Sequence, residues 1–218
     1  MDQLSLVENK VNEIINKKQL NIHSKIIVVT KTFPLEKIIP LLKKGHLHYG
    51  ENKIQEAELK WSKVKNEYKN LQLHMIGNLQ TNKAMRAVKL FDYIHSLDSD
   101  KLASKISQYE KELKKKTKLF IQINFGEEKQ KSGINLNELN DFYSHCVKDL
   151  SLNVIGLMCL PPLDTDSSKY FSLLKKEADK LKLTELSMGM SSDFEKAILH
   201  GSTYLRIGTT IMGKRYST

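Results

Sequence analysis

Eight short apolar segments, each followed by a segment of helical character, limit the fold of this 218-residue sequence more than any other feature. The first, residues 26–30, reads IIVVT, a β-branched run that is typical of a strand buried on both faces. Regular alternation of strands and helices predicts a parallel sheet, and eight repeats predict an α/β fold closed into a (β/α)8 barrel. The chain is expected to form a single domain over residues 1–218. The predicted strands cover residues 26–30, 46–49, 71–76, 91–97, 118–124, 152–160, a run ending at 188, and 203–207.

One further helix is predicted ahead of the first strand. Apolar residues between Leu4 and Ile15 recur at three- and four-residue spacing, which predicts an amphipathic helix over residues 3–18. An open, doubly wound sheet would show the same alternation and is the alternative architecture. Neither a glycine-rich dinucleotide fingerprint after Val29 nor a Gly-Lys-Ser/Thr phosphate loop occurs, which counts against the open-sheet nucleotide binders.

The net charge of +10 is the main argument for a nucleic-acid partner. The basic residues are spread over most of the predicted helices, however, and only three of them are arginines. Arginine is the residue preferred for planar contacts to phosphates and bases. We therefore expect weak, nonspecific attraction to nucleic acid and no specific recognition.

Other bulk features predict a cytoplasmic protein without a metal site. No apolar run reaches the roughly 18 residues of a membrane span, so no membrane partner is expected. The N-terminal segment lacks the basic-then-apolar order of a secretion signal. Cys146 and Cys159 are too few for a disulfide or metal framework, and Cys159 lies in an apolar strand as small core filler.

Three histidines lie in or near predicted strands. His46 and His48 alternate along one strand, so they face opposite ways and do not form a metal pair. His74 ends another strand, where it either reaches the barrel mouth or is a hydrogen-bonded histidine of the barrel interior.

The last two strand ends carry small polar residues suited to an anion. Ser191 follows one predicted strand, and Gly208-Thr209-Thr210 follows the next. In parallel barrels the loops after the last two strands often hold phosphate. The alternative is that Gly208-Thr209-Thr210 is only a turn before a helix.

Lys31 and Arg206 add two charged groups to the same predicted mouth. Lys31 directly follows the first strand, where desolvation would lower its pKa and free the amine for a Schiff base; alternatively, it extends to solvent. Arg206 interrupts an apolar strand and needs a partner, which could be a carboxylate. Together with a phosphate cradle, the two residues suit pyridoxal 5′-phosphate (PLP). An arginine facing the ring nitrogen keeps it unprotonated and weakens the ring as an electron sink.

Seven separated blocks resemble the pyridoxal phosphate homeostasis protein family, which shares the barrel of the alanine racemase N-terminal domain. They occur in the family's order and cover nearly the whole chain. The blocks are VVTKTFP (28–34), YGENKIQE (49–56), HMIGNLQTNK (74–83), FDYIHSLD (91–98), IQINFGEEKQKSGI (121–134), IGLMCLP (155–161) and the segment 187–215.

This resemblance implies a role for each matching position. Lys31 would be the Schiff-base lysine, Asn52 would line the cofactor, and Arg206 would face the pyridine nitrogen. Lys131 is similar to a family lysine that accepts the cofactor secondarily. The residues implied to hold the phosphate are Ser191, Gly208 and Thr209.

The resemblance favours a cofactor carrier over an enzyme. A racemase needs a base on each face of its substrate, and in the racemases the second base depends on an added β-domain that is absent from this sequence. We expect a monomeric protein without catalytic activity that buffers PLP and delivers it to apo-enzymes. The alternative function is that of a weak PLP-dependent amino-acid racemase or a related enzyme.

Overall fold

Eight parallel strands form a closed barrel. The structure, a computed structural model, describes residues 2–125, 132–162 and 165–214. The strands are β1 (Lys25–Val29), β2 (His48–Glu51), β3 (Gln72–Met75), β4 (Tyr93–Leu97), β5 (Lys118–Ile123), β6 (Val154–Cys159), β7 (Glu185–Met190) and β8 (Tyr204–Ile207). They follow one another in chain order around the barrel, and β8 pairs with β1 to close it. The predicted α/β class and (β/α)8 architecture are confirmed.

Helices surround the barrel, and one additional helix precedes β1 as predicted. They are α1 (Gln3–Lys17), α2 (Leu35–Lys43), α3 (Ile54–Trp61), α4 (Val64–Glu67), α5 (Ala84–Leu90), α6 (Asp100–Leu113), α7 (Leu139–Ser144), α8 (Ser167–Lys180), α9 (Phe194–Leu199) and α10 (Thr209–Met212). Asp2 caps α1 by accepting a hydrogen bond from the Ser5 backbone N–H at 3.0 Å. The helix packs against α9 and α10. Within the described parts of the chain, no helix has the length and apolarity that crossing a membrane requires.

Strand β2 lies two residues later than predicted. Gly50 and Glu51 were expected to end it, because glycine and a charged residue usually mark a loop. In the structure they continue the strand and pair with His74 and Met75 of β3. Glu51 is tolerated inside the sheet because its carboxylate is hydrogen-bonded.

Two other boundaries also differ from the prediction. Strand β7 continues past residue 188 to Met190, because Gly189 adopts φ +87° at an irregularity in the pairing with β8. The helical segment that follows β2 is divided into α3 and α4. At the division, the Ser62 hydroxyl donates to the Glu58 carbonyl at 2.6 Å, a side-chain bond of the kind that bends helices.

The apolar residues form two clusters. The larger fills the layer between the sheet and the helices, as expected for strands buried on both faces. The smaller lies inside the barrel and is partly aromatic. Its members are Ile27, Tyr93, Phe120, Met158 and Tyr204. The buried polar residues of the strands include His74, His95, Ser187 and Arg206.

A buried carboxylate joins the ends of β1 and β2. One oxygen of Glu51, Oε1, accepts hydrogen bonds from the Thr30 hydroxyl at 2.7 Å, the Lys60 amine at 2.8 Å and the Trp61 indole at 2.9 Å. Thr30 also donates its backbone N–H to the Gly50 carbonyl at 3.0 Å. These bonds fix the two strand ends against α3, which sets where the residues that follow them lie.

Candidate functional site

A cavity of about 770 Å³ lies at the carboxyl ends of the strands. The six residues predicted to form the primary cofactor site all line it: Lys31, Asn52, Ser191, Arg206, Gly208 and Thr209. The rest of the lining is largely apolar and includes Val29, Ile76, Leu160 and Met190. Small-molecule sites are typically of this size and combine an apolar wall with a few convergent polar groups. Four strand ends, those of β1, β2, β7 and β8, therefore bring the predicted residues into one site.

Lys31 occupies the rim of this cavity at the end of β1. It follows Thr30, which is held by Glu51, and it precedes Thr32, which adopts a left-handed φ of +68°. The Thr32 backbone N–H donates to the Glu56 carboxylate at 2.5 Å. Lys31 itself is half-buried, so its amine belongs to a short, tethered turn rather than to a long loop.

Arg206 is almost fully buried, with only 4% of its surface exposed. Its Nη1 donates to the Ser187 hydroxyl at 2.6 Å and its Nη2 donates to the Cys159 carbonyl at 2.9 Å. Burial lowers the pKa of the guanidinium, although this group stays protonated in proteins. The carboxylate partner that we considered is not among its hydrogen-bond partners in the described residues. A buried cation bound only to neutral groups favours an electron-rich ligand.

The two C-terminal loops meet at Ser191. Its hydroxyl oxygen accepts hydrogen bonds from the backbone N–H of Gly208 at 3.2 Å and of Thr210 at 3.4 Å. Helix α10 begins at Thr209, so the side chain of this residue lies at the start of the helix and is exposed to solvent. The Ser191 and Thr209 hydroxyls and the backbone of residues 208–210 therefore gather on one wall of the cavity, an arrangement that suits a phosphate.

Asn52 supplies an unsatisfied polar atom to the site. It follows β2, and its Oδ1 is buried without a hydrogen-bond partner in the described residues. Leaving a buried polar atom unsatisfied costs about 1–3 kcal/mol. Gly77 packs directly on this residue: a Cβ at position 77 would lie 2.4 Å from the Asn52 carbonyl oxygen. The close packing holds Asn52 in place, and its unpaired Oδ1 can accept a hydrogen bond from a polar group of a ligand.

The residues present fit PLP. The cofactor carries an aldehyde, a pyridine ring and a phosphate, and the cavity offers one amine, one buried guanidinium and one cluster of backbone and hydroxyl groups. No cluster of potential metal ligands occurs in residues 2–125, 132–162 and 165–214. Lys131, the residue implied as a secondary acceptor of the cofactor, lies outside the described residues.

The histidines lie away from the mouth. His74 takes the second of its two predicted positions: it is fully buried in the barrel interior, where its Nδ1 is 2.9 Å from Nε2 of His95. His95 was not singled out in the sequence. The signal that could have found it is a histidine in the middle of the β4 segment, because a buried imidazole must be hydrogen-bonded. Cys159 is buried in β6, as predicted.

Comparisons with known proteins identify the family of this chain. The family described as "Alanine racemase, N-terminal domain" matches residues 4–216. The pyridoxal phosphate homeostasis protein of Haemophilus influenzae is 33% identical, over 99% of this chain and 96% of that protein. This chain belongs to the pyridoxal phosphate homeostasis protein family.

Solved structures show the same fold in this family and beyond it. PipY of Synechococcus elongatus, solved with PLP bound, is 31% identical and superposes with a TM-score of 0.81 over 93% of this chain and 100% of that one. An alanine racemase of Clostridium difficile is 15% identical, with a TM-score of 0.69 over 96% of this chain and 57% of that one. At that identity the racemase indicates only a shared barrel.

Proposed function

We propose that this protein binds PLP in the mouth cavity and takes part in PLP homeostasis. The observation that carries the proposal is the convergence of six residues from four strand ends on one cavity. Membership of the pyridoxal phosphate homeostasis protein family and the PLP-bound structure of PipY support it.

Each end of the cofactor has a complementary group. Bound PLP supplies an aldehyde that condenses reversibly with a primary amine. Lys31 provides that amine, and Arg206 presents its guanidinium to the ring. Ser191, Gly208 and Thr209 bind the phosphate.

The composition of the cavity favours holding and delivering PLP over catalysis. Among the described residues that line it, Lys31 is the only group able to act as a base, because Arg206 stays protonated. A racemase requires a base on each face of the reacting carbon. We therefore propose a cytoplasmic, monomeric carrier, formed by one domain, that releases PLP to apo-enzymes.

The first experiment locates the covalent link. The purified protein is mixed with PLP, its visible absorbance is recorded, and the complex is reduced with borohydride and mapped by mass spectrometry. We expect the label on Lys31 and its loss in Lys31→Ala. Lys53→Ala is the matched control, because Lys53 is an exposed lysine that follows Asn52 and lines a neighbouring cavity instead of the mouth cavity. A label that persists at another lysine in Lys31→Ala would refute the assignment.

A second experiment separates the carrier from the enzyme. The loaded protein is incubated with an apo-enzyme that needs PLP, and recovery of that enzyme's activity is followed against Lys31→Ala. The same preparation is assayed for racemisation of individual amino acids. Turnover that disappears in Lys31→Ala would contradict the carrier and establish the racemase alternative.

A further inference from the structure

A chain of hydrogen bonds crosses the barrel interior from one end to the other. Nδ1 of His48 lies 2.9 Å from Nε2 of His74, and Nδ1 of His74 lies 2.9 Å from Nε2 of His95. Nδ1 of His95 lies 2.8 Å from the Ser187 hydroxyl, which accepts from Arg206 at 2.6 Å. The five residues come from five strands, β2, β3, β4, β7 and β8.

The two ends of this chain face different surfaces. Arg206 lines the mouth cavity at the carboxyl ends of the strands. His48 is the first residue of β2 and lines two cavities at the opposite end of the barrel. The intervening His74, His95 and Ser187 have no exposed surface. The chain is thus a continuous polar connection through an otherwise apolar interior.

The histidines of the chain are neutral at pH 7. Burial lowers the pKa of His74 and of His95 well below the usual value, and the neighbouring positive charge of Arg206 adds to the effect at His95. Burial, reinforced by His46, lowers the pKa of His48 to about 4. A neutral imidazole has one nitrogen that donates and one that accepts, so each link in the chain has a direction.

Arg206 fixes that direction, because a guanidinium can only donate. The Ser187 oxygen accepts from it and keeps one hydrogen of its own. If this hydrogen goes to Nδ1 of His95, then Nε2–H of His95 donates to His74, and Nε2–H of His74 donates to His48. In the reverse direction the Ser187 hydrogen would be buried without an acceptor among the described residues, which is unfavourable.

We propose that this chain positions Arg206 for its ligand and that all three histidines are Nε2–H tautomers. Ser187 and His95 are the positioning residues, because they hold the guanidinium in one orientation at the cavity wall. The chain is a rigid support and does not conduct protons, since Arg206 accepts none. The effect of this chain on PLP binding rests on the function proposed above. The tautomers of the three histidines do not depend on that function.

The first test uses cofactor-free protein labelled with ¹⁵N-histidine at pH 7. Long-range ¹H–¹⁵N correlation spectra show for each imidazole which nitrogen carries the proton, and single histidine variants assign the signals. We expect protonated Nε2 and unprotonated Nδ1 at His48, His74 and His95. An Nδ1–H tautomer or an imidazolium at His74 or His95 would overturn the proposal without any reference to PLP.

The second test compares Ser187→Ala with Ser202→Ala. Ser202 is equally buried and donates to the Met188 carbonyl at 2.7 Å, but it has no hydrogen bond to Arg206. We expect both variants to unfold at lower temperature. Only Ser187→Ala is expected to shift the His95 nitrogen signals towards mixed tautomers and to weaken PLP binding about tenfold, because it removes a hydrogen bond to a charged group.

A conservative variant completes the design. Ser187→Thr keeps the hydroxyl and should restore the His95 tautomer and most of the PLP affinity. Unchanged His95 signals and unchanged affinity in Ser187→Ala would refute the positioning role, as would equal losses of affinity in Ser202→Ala. If wild-type protein shows the expected tautomers but takes up no PLP, the proposed function is wrong. The inferred direction of the hydrogen bonds is then still supported.

Discussion

Lys60→Ala should destabilise the protein strongly, because Lys60 neutralises a carboxylate that has no access to solvent. The Glu51 side chain is fully buried and that of Lys60 is 7% exposed. The Lys60 amine donates to Glu51 and to the Thr30 carbonyl at 2.8 Å each, and to Glu56 at 3.0 Å. Truncating Lys60 leaves the Glu51 charge inside the protein, where its remaining donors among the described residues are the neutral Thr30 and Trp61.

The expected loss follows from the burial of this pair. Removing one partner of a buried ion pair costs about 3–5 kcal/mol, because the remaining charge is uncompensated. For a chain of this length, 1 kcal/mol corresponds to a shift of about 2–4 °C in Tm, so Lys60→Ala should lower Tm by roughly 6–20 °C. Glu51→Gln in the same chain should recover part of the loss, because it removes the buried charge.

Thermal unfolding followed by circular dichroism tests this reasoning. The matched control is Lys175→Ala, which breaks an exposed ion pair with Asp179 one helical turn away. Exposed pairs contribute about 0–1 kcal/mol, which corresponds to a shift of at most about 4 °C. If Lys60→Ala unfolds within the range of Lys175→Ala, Glu51 is not held as a buried charge and the argument is wrong.

Two other perturbations have defined outcomes. Gly77→Ala should displace Asn52, since the new Cβ would lie 2.4 Å from the Asn52 carbonyl oxygen, and a spectral titration with PLP should show weaker binding. Burial lowers the pKa of Lys115 to about 8 from its usual 10.5. Between these values the unfolded chain binds the proton and the folded chain does not, so stability relative to Lys115→Met should rise from pH 8 to 10.5. A difference in Tm between the two proteins that stays constant over this range would contradict the prediction.

The fold was predictable because its signal is local. Each strand and helix has its own apolar period, and eight alternating units leave few architectures. The errors occurred where a long-range partner overrides local preference. Glu51 continues β2 because Lys60 satisfies its charge, and Gly189 continues β7 through a left-handed backbone.

The candidate site was partly predictable for a geometric reason. All strands of a parallel barrel end on the same side, so residues at the ends of β1, β2, β7 and β8 share one mouth once the topology is known. The partners of Arg206 were not predictable. Ser187 is 19 residues away in the chain, and His95 is 92 residues from Ser187. No local pattern encodes such a contact.

The sequence by itself determined the order of strands and helices, the closure of the barrel and the six residues at its mouth, because these follow from periodicity and from positions at strand ends. Only the tertiary structure decided that Arg206 has neutral hydrogen-bond partners and that His48, His74 and His95 are connected to it. Those contacts depend on the register and twist of the closed sheet, which determine the residues that meet inside the barrel.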